Sequence, residues 1–198
     1  MSALRYIPAC VLGGGFALVG VWAWLAFVGG HGAHDHGSHA GHRGSYAGEQ
    51  DRDISSLSAG DVAALEAGQG WGLAKSAELN GYPGPRHVLD LADELALTAA
   101  QRKKIKALFD EMSRAAKLRG TAFLNAERAL TVAFRDKTIT PEALAELTQA
   151  AGRARAKVRA VHLAAHLKTV AVLTPAQIAT YNQRRGYKQA ALSSPSSD

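Results

Sequence analysis

The sequence predicts an all-α protein with an N-terminal transmembrane helix, a flexible His/Gly-rich tether, and a hooked antiparallel hairpin of two long helices with short flanking helices. Three observations carry that expectation. From Ile7 to Val28 the chain runs 22 residues without a charge. Apolar residues from Ile105 to Phe134, and again from Leu144 to Val172, recur at three- and four-residue steps, the period of a helix that buries one face. Thr98, Thr140 and Thr174 each stand where a helical stretch begins, the last two followed directly by proline.

Composition narrows the class. A chain of 198 residues holds one compact domain of the usual ~100–150 residues plus appendages. The 47% hydrophobic content leans on alanine and on the apolar N-terminus, so the core is built from few large side chains and closely packed helices. The net charge of +6 is spread along the long segments without interleaved aromatics, which describes solvated helix faces and argues against nucleic-acid binding. A single cysteine, Cys10, forms no intrachain disulfide and says nothing about redox compartment.

The apolar stretch suits a bilayer span of about 20 residues better than the core of a signal peptide, about 7–15. Trp22, Trp24 and Phe27 lie near its far end. Arg5 precedes it and the next basic residue is Arg43, so the positive-inside rule leaves the N-terminus in the cytoplasm and everything from Gly29 outside. Read instead as a cleaved export signal, the segment would end at the small residues Val28 and Gly30. Ile7-Pro8-Ala9-Cys10 is no lipidation signal, because the apolar run follows the cysteine.

Five of the eight histidines crowd into His31, His34, His36, His39 and His42 among glycine, alanine and serine. Glycine at that density disfavours a helix by up to about 1 kcal/mol per residue relative to alanine, so the stretch is expected to be a flexible tether. Mobile neutral imidazoles can gather around Zn²⁺, Cu²⁺ or Ni²⁺ in a loose, unselective site; the plain alternative is a polar spacer. No apolar period appears from Ser45 to Ser56, which extends the linker.

Ser58 with Asp61 three residues on is a helix start, weakened by Gly68, Gly70 and Gly72 and broken at Asn80–Pro85. Pro85 opens a helix with Val88, Leu89, Leu91 and Leu95 on its apolar face, expected to stop near Leu97. Thr98 caps a helix of about ten turns, Asp136–Glu142 forms the turn, and Thr140-Pro141 opens the return helix. Thr174-Pro175 opens a last helix to about Arg184. The expected organisation is therefore a cytoplasmic start and anchor (1–29), a His-rich linker (30–56), a weakly helical lead-in (57–84), the hairpin domain (85–187) and a disordered tail (188–198).

Leu97-Thr98-Ala99-Ala100-Gln101 and Leu173-Thr174-Pro175-Ala176-Gln177 are two copies of an LTxxQ motif bracketing the hairpin. In this the chain resembles the Spy/CpxP-like LTxxQ family, which includes zinc-resistance-associated proteins and membrane-anchored periplasmic heavy-metal sensors. The resemblance spans about Pro85 to Tyr187. It implies a hooked helical hairpin that dimerises, with its domain in the bacterial periplasm, and a role in metal response or in ATP-independent chaperoning under envelope stress. Physically, each threonine accepts an otherwise unpaired N–H at its helix start while the leucine before it packs inward, a structural role with no reaction centre in it.

His162 and His166 stand four residues apart on one helical face, a spacing at which two imidazoles can share a metal. The helix opened by Pro85 carries His87, Asp90, Asp93 and Glu94 within reach, so His162, His166, His87 and Glu94 form the candidate set for one divalent transition metal, Zn, Cu, Ni or Co. Metal-sensing relatives use such a histidine pair with a further histidine and a carboxylate. The bland reading is a pair of polar histidines flanking the core. Leu163, Leu167 and Val170 form a second apolar strip that a homodimer partner, or an unfolded client steered by Arg153, Arg155, Lys157, Arg159 and Lys168, would cover. No nucleophile motif, phosphate loop or paired carboxylates point to an enzyme. The expectation is a single-pass protein of the bacterial inner membrane with a periplasmic metal-binding domain, read by a membrane signalling partner; the alternative is a chaperone-like binding module.

Overall fold

A computed structural model describes residues 44–187. The expected anchor, Cys10, the His31–His42 tract and the tail from residue 188 lie outside the described residues. No helix among those described is long and apolar enough to cross a membrane.

The described chain is helical, without strands: α1 (Ala59–Glu66), α2 (Lys75–Glu78), α3 (Pro85–Asp90), α4 (Ala99–Arg135), α5 (Pro141–Val170) and α6 (Pro175–Arg184). At 1.5 Å per residue the 37 residues of α4 extend about 55 Å and the 30 of α5 about 45 Å. The two run back along one another, while α1 and α3 lie on α4, and α2 and α3 meet α5.

Local chemistry sets the helix starts. Ser58, Thr98, Thr140 and Thr174 each accept an N–H from the third residue of the helix they open. The two LTxxQ motifs close full capping boxes, in which Oε1 of Gln101 or Gln177 accepts the N–H of its own threonine at 3.1 and 2.9 Å. Their amides then bond across the fold. Gln101 Nε2 donates to Gln177 Oε1 at 2.9 Å and to the Val172 carbonyl at 3.0 Å, and Gln177 Nε2 returns a bond to Gln101 Oε1 at 3.1 Å and one to the Leu95 carbonyl at 3.1 Å. The paired motifs fasten the foot of α4 to the start of α6. Leu97 and Leu173 are buried beside them.

Two apolar clusters result. One joins Val88, Leu95, Leu97, Ile105, Leu173 and Tyr181 around the paired motifs. The other joins Ile54, Leu57, Leu65, Leu73, Phe123, Leu124 and Val158 part-way along the hairpin. Gly120 permits the second: a Cβ there would lie 2.5 Å from the Leu65 carbonyl oxygen, so α1 can press on α4 only where a side chain is missing.

Four sequence expectations need correction. Residues 49–56 are not free linker: Ile54 is 2% exposed, Asp53 pairs with Arg128 at 2.8 Å, and Ser56 bonds Glu127 at 2.6 Å. One large aliphatic side chain in the twelve residues 45–56, Ile54, leaves no period to detect, yet it joins a core cluster. The lead-in is likewise integral, since Leu65 and Leu73 bury against Phe123. The third helix ends at Asp90 rather than near Leu97. Leu95 and Leu97 would lie about 200° apart on a helix, and turns through Ala96 (φ 46°) send both into the core, with Arg102 binding the Ala92 and Leu97 carbonyls. Finally, the stripes of α4 and α5 do not cover one another at the far end of the hairpin, where Phe134 is 54% exposed and nothing between residues 125 and 150 is buried.

Candidate functional site

The lead-in roofs one face of α5, between Val158 in one apolar cluster and Leu173 in the other. Under that roof the sequence-predicted pair is brought together: His162 is 3% and His166 7% exposed. They are buried groups and not the polar boundary of a stripe, because the loop through Gln69 and the breaker at Asn80–Pro85 close over them.

His166 is held by backbone. Its Nδ1 lies 2.6 Å from the Tyr82 carbonyl oxygen, so Nδ1–H donates and Nε2 carries the free lone pair. Gly84 makes room for the ring: a Cβ at that position would meet His166 Cε1 at 2.8 Å, Nε2 at 3.0 Å and Glu78 Oε2 at 3.6 Å. Histidine, glycine backbone and carboxylate thus converge on one spot.

Glu78, at the end of α2, divides its two oxygens between two tasks. Oε1 accepts from the hydroxyls of Tyr181 and Tyr187, with His87 Nδ1 at 3.3 Å and Arg185 Nε at 3.5 Å. Oε2 is buried without a hydrogen-bond partner, 3.7 Å from His166 Nδ1. Burial, and then the bond to Glu78, push the Tyr181 phenol far above its ordinary range, so it is a permanent donor.

His162 Nε2 is the second buried polar atom here without a partner. Burial lowers the pKa of this imidazole, the neighbouring His166 imidazole lowers it further through like-charge repulsion, and a hydrogen bond with the Gln69 backbone opposes them. At neutral pH the ring is uncharged.

Both histidines and Glu78 line a cleft of about 440 Å³ whose other walls include Trp71, Phe109 and Met112. His87 lies at its rim, its side chain 41% exposed and tied to Glu78. Glu94 does not join the set. It is exposed in the turn after α3 and lines no part of the cleft, because the helix that would have carried it on the His87 face ends at Asp90. The carboxylate that takes its place, Glu78, sits in a glycine-rich stretch with no period; Tyr82 and Gly84 are marked only as part of the Asn80–Pro85 breaker, and no sequence signal assigns them or Tyr181 to a site.

As placed, no three His, Cys, Asp or Glu side chains among the described residues are disposed to hold a metal ion. The donor chemistry nevertheless fits one. Two partnerless buried atoms, His162 Nε2 and Glu78 Oε2, lie beside an imidazole whose tautomer a backbone carbonyl fixes, the outer-shell bond typical of a ligating histidine.

A family model described as LTXXQ motif family protein matches residues 85–185. No curated protein and no solved structure matches the chain.

Proposed function

Because the chain belongs to the LTXXQ motif family, we propose that it is a membrane-anchored periplasmic metal-binding protein, a heavy-metal sensor or resistance factor without enzymatic activity. It takes one divalent transition metal ion at His162, His166 and Glu78. The observation that carries this reading is the pair of buried, partnerless atoms, His162 Nε2 and Glu78 Oε2, in residues lining one cleft. Each such atom costs about 1–3 kcal/mol left unpaired, a cost that coordination removes once the side chains close on an ion.

The division of labour among the residues follows from their surroundings. Tyr82 orients His166 and leaves Nε2 as its donor; the burial that keeps His162 unprotonated keeps its lone pair available. Tyr181 and Tyr187 grip Oε1 of Glu78 and aim Oε2 inward. Imidazole and carboxylate ligands suit Zn²⁺, Cu²⁺, Ni²⁺ or Co²⁺. The anchor at residues 1–29 would hold the domain at the inner membrane, and His31, His34, His36, His39 and His42 would gather ions beside it.

Calorimetric titration of the full chain, its five tract histidines replaced by serine, tests this with Zn²⁺, Cu²⁺ and Ni²⁺. One ion per chain is expected. His162→Gln and His166→Gln should each lower affinity by about tenfold or more, and Gly84→Ala, whose methyl would strike the His166 ring, should lower it too. Equal uptake by the parent and by a variant lacking both histidines overturns the reading.

A second reading, an ATP-independent chaperone or envelope-stress module that works as a homodimer, is favoured by the exposed Val132, Phe134 and Leu144 on the far arm of the hairpin. It requires the full chain to slow aggregation of an unfolded protein at stoichiometric ratio without ATP, and Phe134→Ser with Leu144→Ser to abolish the effect. Unchanged aggregation removes it.

A further inference from the structure

We propose that the face of the hairpin turned away from the lead-in lies on an anionic lipid surface, with Arg119, Arg153 and Lys157 taking headgroup phosphates and Leu118 set among the headgroups. The inference rests on the membrane-anchored reading above and goes beyond it by assigning a lipid contact to the domain itself.

Charge is the first argument. Arg119 on α4 and Arg153 and Lys157 on α5 surround a shallow hollow of about 200 Å³ floored by Ala122, Ala150 and Ala154. All three cations are exposed, and none forms an ion pair among the described residues; Arg153 bonds the neutral Gln149 at 3.0 Å. With only methyl groups between them, nothing of opposite charge lines the hollow. Of the nearby acids, Glu111 is held by Lys168 at 2.8 Å with Arg114 beside it, and Glu146 and Glu142 stand one and two turns beyond Ala150 toward the tip. Separate basic side chains on one face match the phosphates of an anionic bilayer.

Leu118 is the second. It is 66% exposed and lies four residues from both Arg114 and Ala122, so it shares their side of α4. An apolar side chain standing among cations is the composition of a helix face that rests at the headgroup boundary. The lead-in leaves this face open, since no residue before Leu108 lines either hollow between the two long helices here.

The third argument is reach. The apolar run ends at Val28 and the described residues begin at 44, so residues 29–43 join the two. Fifteen residues span at most about 50 Å, comparable with the ~55 Å of α4. A contact too weak to recruit a free protein counts when a tether holds the partners at millimolar effective concentration. Charge alone suits an acidic protein equally; the exposed leucine and the tether decide for lipid.

The test uses the full chain carrying Cys10→Ser and Leu118→Cys, labelled with the fluorophore NBD and reconstituted in vesicles of phosphatidylcholine, or of equal parts phosphatidylcholine and phosphatidylglycerol. The expected result is a blue-shifted, more intense emission in the anionic vesicles only. Salt should reverse it, because the Debye length shrinks from about 10 Å at 0.1 M to about 3 Å at 1 M. Arg119→Glu with Lys157→Glu should abolish the shift at unchanged helix content, Arg119→Lys with Arg153→Lys should retain it, and a label placed instead by Leu79→Cys, exposed on the lead-in, should stay in water. The same spectrum in both vesicles overturns the proposal. So does a shift that the charge-reversed pair preserves, or one that polyglutamate produces and anionic vesicles do not, which marks an acidic-protein surface. Chain stripped from both vesicles by alkaline carbonate overturns the anchor reading and this docking with it, whereas anchored chain without a shift overturns the docking alone.

Discussion

His162 shows how a single side chain takes its chemistry from its surroundings. A free imidazole titrates near 6.5, but burial, and secondarily His166, lower the value for His162 in the folded protein. The unfolded chain therefore takes up a proton at a pH where the folded one does not. Stability from this residue is fully present above about pH 6.5 and is lost as pH falls below it toward the depressed folded value. In the presence of a chelating agent, denaturant stability of the full chain should drop between pH 7.5 and 5.5, and His162→Gln should flatten that drop. An unaltered pH slope in the variant would show that the residue is not held neutral. The histidine pair was legible in the sequence, because spacing alone places two residues on one helical face. Its burial was not, since it depends on Tyr82 and Gly84, which lie about eighty residues earlier and enter no pattern.

Among the elements, helix starts were the most legible feature, and the reason is range. A cap joins a side chain to an N–H three residues away, so Ser58, Thr98, Thr140 and Thr174 announce themselves. The same motifs also carry a long-range function that their local sequence does not reveal, the reciprocal bonds between Gln101 and Gln177. Gln177→Ala removes a capping-box bond and strands the Leu95 carbonyl, which should cost about 1–3 kcal/mol by urea denaturation. Combined with Gln101→Ala, the two losses should fall short of their sum by about 0.5 kcal/mol or more, since each variant already breaks the bonds they share. Strict additivity would mean the amide pair does not form. Conversely, the end of α3 was misjudged because an apolar face continuing to Leu95 looks like more helix. Only the need to bury Leu97 as well turns the chain at Leu91.

For the molecule as a whole, site and stability are linked, because the cleft exists only while the lead-in is folded onto α5. A metal that binds the folded state and not the unfolded one stabilises it by about 2.7 kcal/mol at a hundred times Kd. For a domain of this size that raises Tm by roughly 5–10 °C. Calorimetry of the tract-substituted full chain with Zn²⁺ should show such a rise, and the variant His162→Gln with His166→Gln should lose it. An equal rise in both would place the ion elsewhere. Local and periodic information in the sequence was enough to establish the helical class, the two long helices, their caps, the paired LTxxQ motifs and the histidine pair, because each rests on contacts within a few residues or on one repeated step. Tertiary packing alone decided that residues 49–84 belong to the core, that Glu78 and not Glu94 stands beside the histidines, and that a cleft opens there. Those outcomes depend on which distant segments share a volume, and sparse, aperiodic side chains such as Ile54, Leu73 and Glu78 meet their partners only once the hairpin has formed.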